Sequence, residues 1–579
     1  MIVERILRVN TRTCEAVFSD TTEEETRFGG RYFIDYILTK EVPPTCEPLG
    51  RFNKLILTIG LMSDTLLSTA AQLNAGGKSP LTGGVKESNA GGTIGKRLAK
   101  MGLKAIILED IPEKNCTRIL VVKNDGIEFA DAPELKHALV SETVVYCRKH
   151  FNPKAGLVCI GPAGEMKMCS AGIASVMDDG IQVRYAGRGG MGALMGSKGV
   201  KAIVVDDTGS TYKPKVADPE LLKKTIKAIA DDITNDPKSK NRKLYGTIDI
   251  IDMANEVGLM PTNSFSEGSF ETDPHWCGEN FSNTIKERGG MGRSGTPCVP
   301  GCTIQCSNVY PDRQGSRITA SLQYESIVQL GSNCGIGDMD KIAKLNDLCN
   351  EVGVDTIDCG VAIGICMDEG LLEFGDFEAS KDAISQIARG TPLGRIIGAG
   401  AAVTGRVLGS RRVGASKGQA MPAYDPRALK GNGVTYITSP QGADHTAGNC
   451  FETLKTNDPL GLENQAYNSR RAQVRAGILD TFGVCLFLRP SFVKNPRYAA
   501  DLINGRYGWN VSIEDVKKMS ADMLEMEREF NRKAGVPDEQ TNIPEFMAEE
   551  RLMPTDSVYD IPKDEMMKVW SIELDKDVF

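Results

Sequence analysis

The segment Gly102-Leu-Lys-Ala-Ile-Ile-Leu-Glu-Asp recurs as Gly199-Val-Lys-Ala-Ile-Val-Val-Asp-Asp, and each copy follows a glycine-rich loop, Asn89-Ala-Gly-Gly and Gly187-Arg-Gly-Gly. A repeated loop–helix–strand unit implies a pseudo-twofold first domain, with two equivalent loops for two equivalent ligands or one symmetric one. Chance likeness of two short buried strands accounts for the apolar residues, but not for the paired loops upstream.

Further strand-like runs lie in the same region, at Lys54-Leu-Ile-Leu-Thr-Ile, Arg118-Ile-Leu-Val-Val and Gly156-Leu-Val-Cys-Ile, and the first ten residues alternate like a strand. The character changes after Asp207: Thr208-Gly-Ser-Thr-Tyr-Lys-Pro-Lys reads as a linker, and Asp218-Pro-Glu-Leu-Leu begins a helix. Beyond it the pattern is mainly helical, with irregular Gly/Pro stretches at 257–318 and 405–450 and a charged surface helix and tail at the end. The expectation is a β-rich domain over 1–210 followed by helical domains over 211–420 and 421–579.

The 579 residues carry a net charge of −8, which argues against nucleic acid or an anionic membrane as the main partner. No apolar run approaches the ~20 residues that span a bilayer, and no cleavable signal pattern precedes Asn10, so the chain reads as cytoplasmic without membrane insertion. In that setting 16 cysteines are not a disulfide framework, and 4 histidines are too few for a His-built metal centre. Any cluster is expected to be thiolate-ligated.

Four segments carry chemistry. Gly187-Arg-Gly-Gly-Met-Gly192 satisfies G-x-G-x-x-G, but Met191 to Gly199 is too short and glycine-rich for the helix of a dinucleotide unit. Its glycines let main-chain N–H groups approach an anion and Arg188 can chelate a phosphate; a tight strand-to-helix turn is the structural alternative. In Cys298-Val-Pro-Gly-Cys302-Thr-Ile-Gln-Cys306, Pro300 and Gly301 prevent a regular helix and build a loop that suits an iron–sulfur cluster. Structural zinc or inert thiols are the alternatives, and a cluster needs a fourth ligand. Asp480-Thr-Phe-Gly-Val-Cys485 offers one, together with a carboxylate echoed at Asp355-Thr-Ile-Asp-Cys-Gly, although either aspartate can simply cap a helix. Finally, Tyr324-Glu325 opens an apolar helical run where burial would raise the carboxyl into the acid–base range, and His445 lies in a Gly/Pro loop. A solvated glutamate and an exposed loop histidine are the plainer readings; His137, His150 and His275 have no comparable setting.

These segments in this order, with Lys78-Ser-Pro-Leu-Thr-Gly, Ser88-Asn-Ala-Gly-Gly, Arg188-Gly-Gly-Met-Gly-Ala-Leu-Met-Gly-Ser-Lys and Tyr424-Asp-Pro-Arg, resemble the tungsten-containing aldehyde:ferredoxin oxidoreductase family. The resemblance implies an α+β fold, an N-terminal pseudo-twofold two-sheet cofactor domain followed by two mainly α-helical domains. It implies tungsten, or molybdenum, held by two pyranopterins with no protein ligand, Mg2+ bridging the pterin phosphates, and a [4Fe–4S] cluster. Asn89, Gly91, Arg184, Gly187 and Arg188 would line the phosphates, and Asp355, Asp480 and Val484 the pterins. Cys298, Cys302, Cys306 and Cys485 would hold the cluster. Glu325 and His445, with Tyr324 beside them, would form the acid–base site. The implied reaction is oxidation of small aldehydes to carboxylic acids, or its reverse, with electrons passing to ferredoxin or a small ferredoxin-like subunit in an oligomer or hetero-oligomer. A benzoyl-CoA-reductase-type enzyme on the same cofactor and a non-catalytic iron–sulfur electron-transfer subunit are the alternatives. The chain departs from better-known members in its C-x3-C-x3-C spacing and in Gln72 and Gln441, where others carry Arg and Lys; it also lacks an evident site for iron at a homodimer interface.

Overall fold

The computed structural model describes residues 4–180, 182–271, 276–574 and 579; His275 lies outside them. Strands β1 (Arg5–Asn10), β2 (Glu15–Asp20), β3 (Leu55–Ile59), β4 (Leu73–Lys78), β5 (Val85–Ala90) and β6 (Leu103–Glu109) form one sheet in the order β2-β1-β6-β3-β4-β5. Strands β7 (Arg118–Lys123), β8 (Gly126–Asp131), β9 (Gly156–Cys159), β10 (Ile173–Val176), β11 (Val183–Ala186) and β12 (Val200–Val205) form the second. Its order, β8-β7-β12-β9-β10-β11, repeats the first strand for strand. The repeat noted in the sequence is β6 and β12. Each is parallel to the opening strand of its sheet and antiparallel to the third.

The duplication extends to a bulge. Arg5 pairs with Leu103 and Ile6 with Ala105; Arg118 pairs with Val200 and Ile119 with Ala202. The skipped residues, Lys104 and Lys201, occupy the same position of the repeat. One extra residue reverses the alternation of faces, so Leu103, Ile106 and Leu108 all turn to the core between the sheets, where they meet Val200, Ile203 and Val205. Each bulge lysine is buried and paired, Lys104 with Glu4 at 3.1 Å and Lys201 with Glu165. The outer face of the first sheet is covered by the helix Gly30–Glu41 and that of the second by Val140–His150. Sheets covered on both faces explain why the strands read as continuous apolar runs.

After the sheets, Asp218 caps the helix Pro219–Asn235 by accepting the Leu221 N–H at 3.0 Å, and helices dominate. Two expectations are corrected. The irregular 257–318 stretch contains a third sheet of β13 (Arg293–Thr296), β14 (Ser307–Pro311) and β15 (Arg317–Ala320), with the cysteine loop joining β13 to β14. Gly and Pro mask these short strands in the sequence. The charged helix Ile513–Lys533 forms with a capping box at Ser512, but the residues after it are no tail: Phe546, Met547, Leu552 and Tyr559 are all buried. Among the described residues no single helix is long and apolar enough to cross a membrane.

Candidate active site

Asn89 and Gly91 stand at the end of β5, Arg184 on β11 and Gly187 and Arg188 just after it. The two glycine loops thereby meet at a cavity of about 320 Å³ that also takes Cys298, Asp355, Asp444 and His445. The loops interlock across the sheets: Ser175 of β10 donates to the Gly91 carbonyl at 2.7 Å, and Ser79, following β4, donates to the Gly189 carbonyl at 2.7 Å. Gly91 has no room for a side chain, since a Cβ there would lie 2.3 Å from the Cys298 carbonyl oxygen. Gly187 differs. A Cβ would meet only the Tyr185 Cβ at 3.6 Å, so the glycine leaves open space beside the cavity.

The two arginines have separate fates. Arg188 donates through Nε to Asp355 at 3.1 Å, through Nη1 to the Ala443 carbonyl at 2.7 Å and through Nη2 to the Ala420 carbonyl at 2.6 Å. Arg188 thus ties the loop to the segments that carry Asp355, Ala420 and Ala443 while still lining the cavity. Arg184 instead has Nε and Nη2 buried without a hydrogen-bond partner. Unpaired guanidinium donors beside open space fit a phosphate oxygen.

Asp355 caps the helix Thr356–Asp368 through the Ile357 N–H at 3.1 Å while its other oxygen holds Arg188. Asp480 ends the helix Gln465–Phe482, accepts from Asn89 at 3.5 Å and pairs with Arg31 at 3.3 Å. The Val484 side chain is buried, and its N–H donates to the Leu479 carbonyl at 3.1 Å. Behind Asp480 lies a group that sequence reading missed: Arg31 makes two 2.7 Å hydrogen bonds to Glu527, with Asp35 and Glu87 close by. Burial raises the carboxyls of Asp35, Glu87 and Asp480 alike. The available signal was Arg31 and Asp35 inside Arg-Tyr-Phe-Ile-Asp-Tyr-Ile-Leu, a helix segment buried on every side.

Cys298, Cys302, Cys306 and Cys485 are free thiols; the first three pack in one apolar cluster with Val299, Ile304 and Val484, and Cys485 is near enough to feel Cys306 and Cys298. Gly301 at φ +83° and Gln305 at φ +53° wind the loop. The N–H groups of Gln305 and Phe487 donate to the sulfurs of Cys302 and Cys485 at 3.5 Å. A hydrogen bond from Cys302 lowers the Cys298 thiol, helped by Arg184, while burial pushes Cys306 up to about 12. Among the described residues no three His, Cys, Asp or Glu side chains gather as a single-ion site. Cluster cysteines need not converge on one point, because each binds a different iron. N–H donors on sulfur and a nearby guanidinium fit such a group.

Glu325 opens the helix Tyr324–Leu330 and His445 arrives from its loop, with Nε2 3.5 Å from Glu325 Oε1. Glu325 Oε2 accepts the Ala423 N–H at 2.8 Å; Oε1 has no hydrogen-bond partner. Burial raises the Glu325 carboxyl, opposed by His445 and Ala423. Burial also acts on Asp444, but Lys86 and Arg188 hold it below the usual range. The Tyr324 hydroxyl donates to the Ala423 carbonyl at 2.8 Å and so ties down the segment whose N–H holds Glu325. A second cavity of about 230 Å³, with Tyr424, Phe451 and Phe487 in its wall, contains Glu325 and shares His445 with the first. Glu325 and His445 therefore stand between the cavity of the two glycine loops and an aromatic pocket. His137 and His150 lie exposed at the surface.

Residues 6–207 match the family model described as aldehyde ferredoxin oxidoreductase, N-terminal domain, and residues 224–570 the model for its domains 2 and 3. A tungsten-containing aldehyde ferredoxin oxidoreductase of Thermococcus kodakarensis is 32% identical, covering 94% of this chain and 91% of its own. An aliphatic sulfonate oxidoreductase, WOR-like subunit, of Pyrococcus furiosus is 26% identical over 72% of this chain and 70% of its own. The active-site complex BamBC of benzoyl coenzyme A reductase, solved with 1,5-dienoyl-CoA, shares the fold with a TM-score of 0.80 and 19% identity, covering 98% of this chain and 94% of that one. With models covering both parts of the chain and a relative this similar over nearly its whole length, the chain belongs to the aldehyde ferredoxin oxidoreductase family and is an oxidoreductase.

Proposed function

We propose that the protein oxidises small aldehydes to carboxylic acids, or runs the reverse reduction, at a tungsten (or molybdenum) bis-pyranopterin. Electrons then pass through a [4Fe–4S] cluster on Cys298, Cys302, Cys306 and Cys485 to ferredoxin or a small iron–sulfur subunit. The observation that carries this reading is the Glu325–His445 pair at 3.5 Å, standing between the cavity of the duplicated loops and the aromatic pocket. When bound, the metallopterin supplies a two-electron acceptor beside the pocket.

The residues that would hold it are Arg184, Gly187 and Asn89 at its phosphates, where Mg2+ would add positive charge, and Asp355, Asp480 and the Val484 main chain at the pterins. On this reading 1–210 is the cofactor domain, 211–420 brings the cysteine loop and Glu325, and 421–579 brings His445 and Cys485. Glu325 Oε1, free of hydrogen bonds and next to the pocket, takes a proton from water or from the aldehyde hydrate. The Ala423 N–H keeps Oε2 turned away, so a single oxygen faces the work. His445 donates from its ring nitrogen to the substrate oxygen. The walls of Tyr424, Phe451 and Phe487 exclude bulk water and accept an apolar substituent. A pocket of about 230 Å³ suits a small aldehyde and is tight for a coenzyme A thioester, which favours this reading over a benzoyl-CoA-type reduction.

Anaerobic purification, metal analysis and aldehyde-dependent viologen reduction test the proposal. Tungsten with about four irons per chain and aldehyde turnover is the expected result. Zinc without tungsten overturns it.

A further inference from the structure

We propose that the groove lined by Lys240, Lys243, Lys286 and Arg293 is the docking site of a small acidic electron-carrier protein. The inference rests on the proposed passage of electrons through the four cysteines. The groove, of about 530 Å³, has no carboxylate among its lining residues. All four cations are exposed, and none forms an ion pair with a described residue. They stand out on a chain whose net charge is −8. Leu244 and Met291 beside them are 47% and 38% exposed, giving an apolar contact inside a charged rim.

Both walls of the groove end at the cysteine loop. The helix Pro237–Tyr245, carrying Lys240 and Lys243, stops at Gly246, where a Cβ would lie 3.1 Å from the Cys306 carbonyl oxygen. Strand β13 carries Arg293 and runs into Cys298; its Gly295, at φ +70°, sits so that a Cβ would lie 3.1 Å from the Lys243 carbonyl oxygen. A protein seated here rests against the chain segments that bear Cys298 and Cys306. Oxidation of one aldehyde with one water releases two electrons and two protons, so two one-electron carriers are reduced per turnover. Opposite charge steers such a carrier to this face and orients it, which raises the rate of encounter more than the affinity.

The test uses the holoenzyme and an acidic bacterial 2[4Fe–4S] ferredoxin, against benzyl viologen as a small acceptor that needs no docking. The combined Lys240→Glu, Lys243→Glu and Arg293→Glu variant should lower kcat/KM for ferredoxin about tenfold or more at low salt and flatten its salt dependence. The viologen-linked rate should stay unchanged. Direct ferredoxin binding to wild type and variant, measured by calorimetry, should weaken in parallel whether or not turnover is seen. Unaltered ferredoxin kinetics and binding overturn the inference. So does a change confined to the particle mass by light scattering, which would make the groove a contact between copies. A wild-type holoenzyme that binds ferredoxin but reduces neither acceptor with any aldehyde sinks the proposed reaction and leaves the docking surface standing.

Discussion

Glu325 is the residue on which the chemistry turns, because one of its oxygens is committed to the Ala423 N–H while the other is buried, accepts no hydrogen bond and faces His445 Nε2 at 3.5 Å. Replacing it by Gln keeps the volume and an acceptor for Ala423 but removes the base. Glu325→Gln should cut aldehyde-dependent viologen reduction by about 100-fold or more while tungsten and iron per chain stay constant. Surviving turnover would dismiss Glu325 as the base. Burial raises this carboxyl above its ordinary value of 4.5. The ionised form is the active one, so kcat/KM should fall as pH drops through an acid limb lying above 4.5, and Glu325→Gln should lack that limb. A wild-type limb at the ordinary value would contradict the burial argument.

Two elements deserve separate tests, the glycine loop and the bulged strand. In the loop, Gly91 touches the Cys298 carbonyl so closely that a Cβ would stand 2.3 Å away. Gly91→Ala must push the cysteine loop outward, at about 1–3 kcal/mol, and should lose iron. Gly126→Ala, where a Cβ meets nothing within 4 Å, is the control. Equal iron content and equal urea midpoints for the two variants would show the contact to be soft. In the second sheet, Lys201 is fully buried against Glu165 at the bulge. Lys201→Met strands that carboxylate and should cost about 3 kcal/mol in urea unfolding, most of it recovered by adding Glu165→Gln. No recovery would mean that the lysine stem, not the charge, holds the bulge.

At the scale of the whole molecule, the interior holds carboxyls that keep protons the unfolded chain would release. Burial pushes Asp249 and Asp347 up to about 6, and raises Glu87, Asp358 and Asp480 as well. A carboxyl raised on folding adds stability that is present below its unfolded value and lost as pH rises through its folded one. The thermal midpoint should therefore rise as pH is lowered from about 7.5 to about 5.5 in calorimetry. A midpoint that falls over this window would mean that other groups control the balance.

Much of the architecture was legible because it rests on neighbours in the chain. The repeat at Gly102 and Gly199 announced two matching halves, and the structure repeats them down to the bulge at Lys104 and Lys201. Asp218 and Asp355 cap helices by the local rule that side-chain oxygens satisfy free N–H groups. Pro300 and Gly301 marked the cysteine loop for the same reason: backbone preference is local. What remained hidden depends on partners far apart in sequence. That Arg184, not Arg188, is the free guanidinium followed only when Asp355, Ala420 and Ala443 closed around Arg188. Arg31 meets Glu527 and Asp480 only because the helix Gly30–Glu41 packs against the C-terminal helices. The chain alone determined where strands, caps and loops form; the tertiary structure decided which charges pair and which stay free, because burial and long-range contact set those energies.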